Sequence, residues 1–409
     1  MSYKQELTYC TLMHKYEKVA DIAFGEDGVL CKIIEIYNNE LMPTPTNNSS
    51  RVILLRAWWD NRCIPSSREF LSKIIQDFGY GAIPDALFLK SLGFNLSDQY
   101  WCKPTDNINI NYDDYNFFEN DYSLKFGEAL LSGTTKEEFE DEDFLTPDLH
   151  TNGHLPKQWI QKGGINYLKK TVNINENNLE TYNEEIAYKI FELAGVDVVP
   201  YETIFENNRY FSVCPTLCNK DTEIVTAGQV LQQVRSKNES LYQFSLRCFK
   251  DFGFSEEEVV DYFNKLITLD YIIGNEDRHL ENFGIIRDAN TLETLGFAPF
   301  FDNGMCLYCD DIKMSTQNLG YGDPECKPFY KKWDKQLKLV TDLSWLDIDK
   351  LAEEVPKLLK KEYQFVISNG VRTEEAIDTL IRKVSNRIYN VQKLKEQLNP
   401  SLDDDLVIQ

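Results

Sequence analysis

The stretch SEEEVVDYFNKLITLDYIIG, from Ser255 to Gly274, constrains the fold more than any other. Ser255 with Glu258 three residues later is a capping box, and Gly274 is a natural helix stop. A helix this apolar has to be enclosed, so a sizeable core must form around it. The next ten residues reverse the character. NEDRHLENFG, Asn275 to Gly284, sets Asp277, Arg278, His279 and Asn282 on a loop that ends where FGII opens a strand. Polar residues on a loop held between rigid elements are placed for chemistry. The turn RDANT, a return strand LETLGF and APFFDNG follow, a hairpin that folds Asp302 back toward Asn282.

A chain of 409 residues, 42% hydrophobic and 13% aromatic, is globular and long enough for two or three domains. Its net charge of −23 argues against a general affinity for nucleic acid or anionic membrane. No segment approaches the roughly 18 apolar residues of a membrane span. The start, MSYKQELTYCTLMHKYEK, lacks the apolar centre of a secretory signal, so a cytoplasmic location is expected. Ten scattered cysteines then read as reduced, mostly buried thiols. Cys306 and Cys309 form C-x-x-C, but no second pair or nearby histidine completes a zinc site.

Three regions are expected. In residues 1–104, an N-terminal α/β accessory domain, VADIAF and VLCKIIEIY flank GEDG as a hairpin. SSREFLSKIIQDFG reads as a helix with a serine start and a glycine stop, and LSDQYWCKPTDN closes the region. Residues 105–226 contain the acidic run KEEFEDEDF, read as a solvated face or linker, and then a small α/β lobe. That lobe has two strands around Gly163 and Gly164, a helix in LETYNEEIAYKIFELAG, and two further strands in VVPYETIFENNRYFSVCPTL. Residues 227–409 are mostly helical, ending in DIDKLAEEVPKLLKKEY and TEEAIDTLIRKVSNRIYNVQKLKEQL. The expected fold class is α+β, a bilobal arrangement of a small mixed lobe and a larger helical lobe with a cleft between them.

The residue types fit phosphoryl transfer. That reaction needs Mg²⁺ held by hard oxygen ligands and a carboxylate to take the proton of the attacking hydroxyl. Asn282 and Asp302 fit the metal pair and Asp277 fits the base, while Gly304 would let the metal loop turn tightly. The plain alternative is a surface ion cluster of Asp277, Arg278 and His279 capping the helix. A D-R-H-x-x-N pattern followed by D-x-G across a hairpin argues against it.

That pair of motifs resembles the catalytic and metal loops of the HipA-like kinases and, more distantly, of the phosphoinositide kinases. The preceding GN, the APFFDNG and the earlier LPKQW are closest to the HipA-like side, and WWDNRCIPSSR is similar to the segment bridging that family's N-terminal domain and core. The resemblance implies a serine/threonine protein kinase of protein-kinase-like fold, some members being toxins of toxin–antitoxin systems. It implies ATP and Mg²⁺ as cofactors, a protein substrate, and an antitoxin or other regulatory protein as partner, while the net charge leads to no membrane and no direct nucleic-acid binding being expected.

It also implies a nucleotide-anchoring lysine in NYLKKT. Strand alternation sends Lys169 and Lys170 to opposite faces, and similarity to the family's strand selects Lys170. The helix partner would be Glu184, with Glu185 as the alternative. Neither common phosphate-loop motif is present; HTNGHLPKQW resembles the family's looser loop, with Gly153 allowing close approach and Lys157 reaching a phosphate. In that loop Thr151 is a candidate for self-phosphorylation. Val213 and Cys214 would offer backbone groups to adenine, and His279 is grouped with the nucleotide-binding residues. Two other readings stay open: a lipid or small-molecule kinase, which the net charge and the weakly basic CLYCDDIKMSTQNLGYGDPECK disfavour, and a catalytically silent nucleotide-binding module.

Overall fold

The computed structural model describes residues 7–43, 51–68, 70–77, 84–107, 109–134, 139–151, 153–172, 178–206, 208–310 and 325–399. The chain forms two compact units. One comprises Met1–Asn173, Val213–Val225 and Ile286–Gly296; the other comprises Ile174–Ser212, Thr226–Ile285 and Phe297–Gln409.

The first unit opens with an antiparallel sheet of β1 (Thr8–His14), β2 (Glu17–Phe24), β3 (Leu30–Ile36) and β4 (Tyr100–Pro104), in the order β3-β2-β1-β4. The β2–β3 turn is closed where Gly25 N donates to Val29 O at 2.9 Å, with Gly28 at φ 77°. Inward residues Leu12, Ile22 and Phe24 meet Trp58 and Trp59 of the helix Arg51–Asp60. The indole of Trp59 lies 4.9 Å from Phe24 and 4.4 Å edge-on to Phe88. LSDQYWCKPTDN therefore does not merely close a region. Its YWCKP is β4, paired with β1 from Cys10↔Pro104 to His14↔Tyr100.

The helix in SSREFLSKIIQDFG begins at Leu71, later than its serines, because Phe70 takes the left-handed φ of 66° that a helix cannot continue through. Gly79, its expected stop, lies outside the described residues, as do residues 136–138 of the acidic run. In the rest of that run Glu140, Asp141 and Glu142 form an exposed, solvated face, while Asp141–Phe144 form a 3₁₀ turn, Phe144 is fully buried, and Asp143 accepts from Ser123 and Lys125 at 2.7 and 3.0 Å. β5 (Lys157–Lys162) and β6 (Ile165–Thr171) then form an antiparallel hairpin turning at Gly163 and Gly164, whose φ values are 61° and 78°.

The chain continues through β7 (Glu202–Glu206) and β8 (Arg209–Pro215), and the first unit takes up β8 from Val213. β9 (Thr222–Thr226), β10 (Gly284–Asp288) and β11 (Thr294–Phe297) make a three-stranded sheet in the order β11-β10-β9.

Helices dominate the second unit. Glu256–Ile273 has Ser255 as N-cap, the reciprocal bonds of a capping box with Glu258, and Gly274 at φ 67° as its end. It packs against Leu241–Asp251 and Glu374–Leu398, and Ile348–Glu362 packs on Glu374–Leu398 and on Glu180–Leu193. Tyr262 stacks on Phe297 at 4.1 Å and on Phe300 at 5.3 Å, fixing the segment just before Asp302 to the buried helix. All ten cysteines are free thiols, nine of them buried. Among the described residues no helix is long and apolar enough to cross a membrane.

Candidate active site

Arg278 organises the second unit's polar loop. Its side chain is fully buried, and it donates from Nε and Nη2 to the two oxygens of Asp270 at 2.9 Å each. Asp270 comes from the apolar helix Glu256–Ile273, where a lone carboxylate needs a cationic partner. Nη1 of Arg278 donates to Asn282 O at 2.7 Å and to Phe301 O at 2.8 Å, and Nη2 also donates to Asn303 Oδ1. One guanidinium thus ties the backbone of Asn282 to the residues on both sides of Asp302. Burial pulls its pKa down, but the Asp270 carboxylate more than offsets this, so the net shift is upward and the charge is retained. The surface ion cluster is excluded for this residue by its burial.

Asp277 is held at the loop's open side, with 30% of its side chain exposed. Its N–H donates to Asn275 Oδ1 at 3.0 Å, and its carbonyl accepts from Asn282 Nδ2 at 3.0 Å. That bond uses the nitrogen of the Asn282 amide and leaves Oδ1 as the face for a cation. The His279 ring is turned toward Asp277, Nε2 lying 3.6 Å from Oδ2, while Nδ1 accepts from Glu281 N at 3.2 Å. Lys327 Nζ donates to Asp277 Oδ1 at 2.6 Å.

The loop bearing Asp302 is anchored differently from expectation. Asp302 itself takes the left-handed φ of 53°, whereas Gly304 has no positive φ. Glycine is required at 304 for space: a Cβ there would lie 2.5 Å from Glu180 O and 3.0 Å from Glu184 Cγ. Asp302 N donates to Tyr201 Oη at 3.0 Å, and Asn303 N donates to Glu184 Oε2 at 3.2 Å. Glu184 is fully buried; Glu185 instead pairs with Lys189 at 2.7 Å and accepts from Thr203 N at 2.8 Å. Asn183 Nδ2 donates to Cys306 O at 2.8 Å, and its Oδ1 accepts from the buried Tyr363 hydroxyl at 2.6 Å. Burial pushes the Cys306 thiol well up, so it is a neutral thiol, with Cys309 of the C-x-x-C buried near it.

In the first unit, Lys157 and Lys170 are direct cross-strand partners, so both side chains share one face of the β5–β6 hairpin. Lys170 is 4% exposed. Lys169 is opposite Gln158 on the other face. Gly153 has φ 93°, and a Cβ on it would come within 2.9 Å of Lys157 Nζ, so this ammonium sits against the glycine backbone. Asn152 lies outside the described residues. Thr151 is buried, its hydroxyl donating to Asp148 O at 3.3 Å and accepting from Arg68 Nη2 at 3.3 Å. Val213 and Cys214 are both buried at the end of β8.

The structure brings Asp277, His279, Asn282, Asp302 and Glu184 together in one unit, and Gly153, Lys157, Lys170, Val213 and Cys214 belong to the other. Sequence reasoning missed Arg278 as the clamp, Asp270 beneath it and Lys327. The acid in the otherwise apolar LDYIIG was the available signal for the first two. Nothing local marks Lys327. Among the described residues no group of three His, Cys, Asp or Glu side chains is poised to hold a metal.

A family model, the HipA-like C-terminal domain, matches residues 134–361, more than half of the chain. No curated protein matches it. Among solved structures, HipA of Shewanella oneidensis, in a complex of toxin–antitoxin HipA, HipB and operator DNA, matches with TM-score 0.51 at 13% identity. That match covers 95% of this chain and 99% of that one. The Helicobacter pylori proinflammatory kinase CtkA matches with TM-score 0.46 at 18% identity, over 59% of this chain and 95% of that one. The HipA match shows an α+β, protein-kinase-like fold, and the domain match over residues 134–361 shows that the chain belongs to the HipA-like family.

Proposed function

We propose that this chain is an ATP- and Mg²⁺-dependent serine/threonine protein kinase of HipA type, acting in the cytoplasm, with Asp277 as base and Asn282 and Asp302 as metal ligands. The carrying observation is the Arg278 clamp, which fixes Asn282 and the neighbours of Asp302 through one buried guanidinium. The donor set suits Mg²⁺: one amide oxygen and one carboxylate leave the remaining positions to phosphate and water oxygens, as this hard, octahedral ion favours. Bound Mg·ATP supplies the phosphoryl group and neutralises its charge. The protein's own residues do the rest. Asp277 takes the hydroxyl proton, and Lys157 and Lys170, two like charges set side by side on one strand face, suit an oligophosphate. Gly153 gives that phosphate close access to backbone, Glu184 holds the metal loop through Asn303 N, Val213 and Cys214 offer backbone groups to adenine, and His279 steadies the site beside Asp277.

The working parts divide as an accessory region to residue 104, a small lobe to 226 and a helical lobe beyond. The solved HipA carries HipB, and by that analogy a regulatory protein of antitoxin type is the partner proposed here, with a toxin role. Phosphotransfer from radiolabelled ATP, run beside calorimetry of Mg·ATP binding, tests the assignments. Asp277→Asn is expected to lower turnover about 10²- to 10⁴-fold with binding close to normal. Asp302→Asn is expected to weaken both. Near-normal turnover in Asp277→Asn would remove the base, and wild-type binding without any transfer would leave a silent nucleotide-binding module.

A further inference from the structure

We infer that Lys327 is the positioning residue for Asp277 in phosphoryl transfer, gripping one carboxylate oxygen so that the other receives the acceptor's proton. The inference rests on the kinase reading above. Lys327 Nζ and Asp277 Oδ1 are 2.6 Å apart, in a pair whose side chains are 47% and 30% exposed. Ion pairs that wet contribute little to stability, so folding does not account for the care with which this one is built.

That care is visible in the backbone. Gln336 is fully buried and spends its amide on the segment carrying Lys327: Nε2 donates to Lys327 O, and Oε1 accepts from Phe329 N at 3.1 Å and Tyr330 N at 3.0 Å. The Phe329 ring packs edge-on against Tyr242 at 5.1 Å and Phe263 at 5.0 Å. Cys326 is buried on the other flank. The lysine therefore projects from a fixed support and holds Asp277 Oδ1 from a segment fifty residues away in the chain.

Lys327 donates to Oδ1, while His279 Nε2 lies 3.6 Å from Oδ2, beyond hydrogen-bond length. Oδ2 is thus the oxygen left for chemistry. The hydroxyl proton passes to Oδ2 as the acceptor oxygen bonds to the γ-phosphorus and the bond to ADP breaks. A carboxylate free to rotate would meet the hydroxyl in the wrong orientation much of the time, and misplacement by about 1 Å can cost on the order of 10²-fold.

The test uses the full chain with radiolabelled ATP and Mg²⁺, measuring transfer to dephosphorylated casein and to water, with Mg·ATP affinity by calorimetry. Lys327→Ala is expected to lower kcat about 10- to 100-fold, leave the KM and Kd for ATP within about twofold, and cost nothing further in an Asp277→Asn background. Lys327→Arg should recover most of the loss. If Lys327→Ala keeps wild-type kcat or raises it while Asp277→Asn is inactive, the inference fails and the kinase reading stands. A fall in ATP affinity matching the fall in kcat would mark a merely structural residue, which also overturns it. Wild-type protein that transfers phosphate to neither acceptor sinks the kinase reading, and this inference with it.

Discussion

Two buried arginines, one in each unit, are buried on different terms. Arg278 meets the Asp270 carboxylate face to face and donates to two carbonyls and an amide oxygen, so its charge is stabilised where it sits. Arg68, 2% exposed, donates to the carbonyl and hydroxyl of Thr151. Burial pulls its pKa down to about 9, with the Asp148 charge only partly offsetting this, and burial likewise pushes Asp148 up to about 7. Arg278 keeps its charge beside Asp270. The segment from Asp148 to Thr151, leading into Gly153 and Lys157, includes a carboxyl, Asp148, that titrates near neutrality.

The largest expected effect breaks the fixed side of this comparison. Arg278→Met leaves Asp270 buried without its cation, which should cost about 3–5 kcal/mol by urea unfolding and abolish phosphotransfer. Next, Gly304→Ala drives a Cβ to 2.5 Å from a backbone carbonyl that cannot swing away, and about 3 kcal/mol should be lost together with Mg·ATP binding.

The titrating side is sharpened by pH. Asp148 in the fold keeps a proton that the unfolded chain releases near its ordinary 3.8, so its contribution is complete below pH 4 and lost as pH rises through about 7. Stability should fall by about 2 kcal/mol between pH 5 and 8. Asp148→Asn, which can still accept from Trp159 N, should flatten that slope in denaturation curves at several pH values. The smallest change is Gly153→Ala, where a φ of 93° strains any side chain but the obstructing atom is the mobile end of Lys157. About 1 kcal/mol of stability should go, with the ATP requirement rising.

What the sequence disclosed was local. The helix Glu256–Ile273 was legible in full because its signals, Ser255, Glu258 and Gly274, are contiguous with it. Hairpins marked by glycine turns were equally plain, as was the D-R-H-x-x-N motif. β1 and its pairing with β4 were not, since residues 10 and 104 meet only through tertiary packing. Phe70 hid the true helix start because nothing in its identity announces a left-handed backbone. In the acidic run, composition told of the exposed face of Glu140, Asp141 and Glu142 but not of the buried Phe144 that anchors its end. At the site, residue types pointed to the chemistry proposed above, whereas Lys327 reaches Asp277 across fifty positions of chain.

Tyr363 sets where the second unit can be cut. The family match stops at residue 361, yet two residues later this phenol meets Asn183, which in turn grips the carbonyl of Cys306 just beyond Asp302. Tyr182 also donates to the carbonyl of Glu362. A fragment trimmed to the matched span would leave the Asn183 carbonyl dry and unanswered beneath the loop bearing Asp302. The support of the Asp302 loop therefore extends beyond the matched span, and the helices that follow residue 361 belong to its foundation.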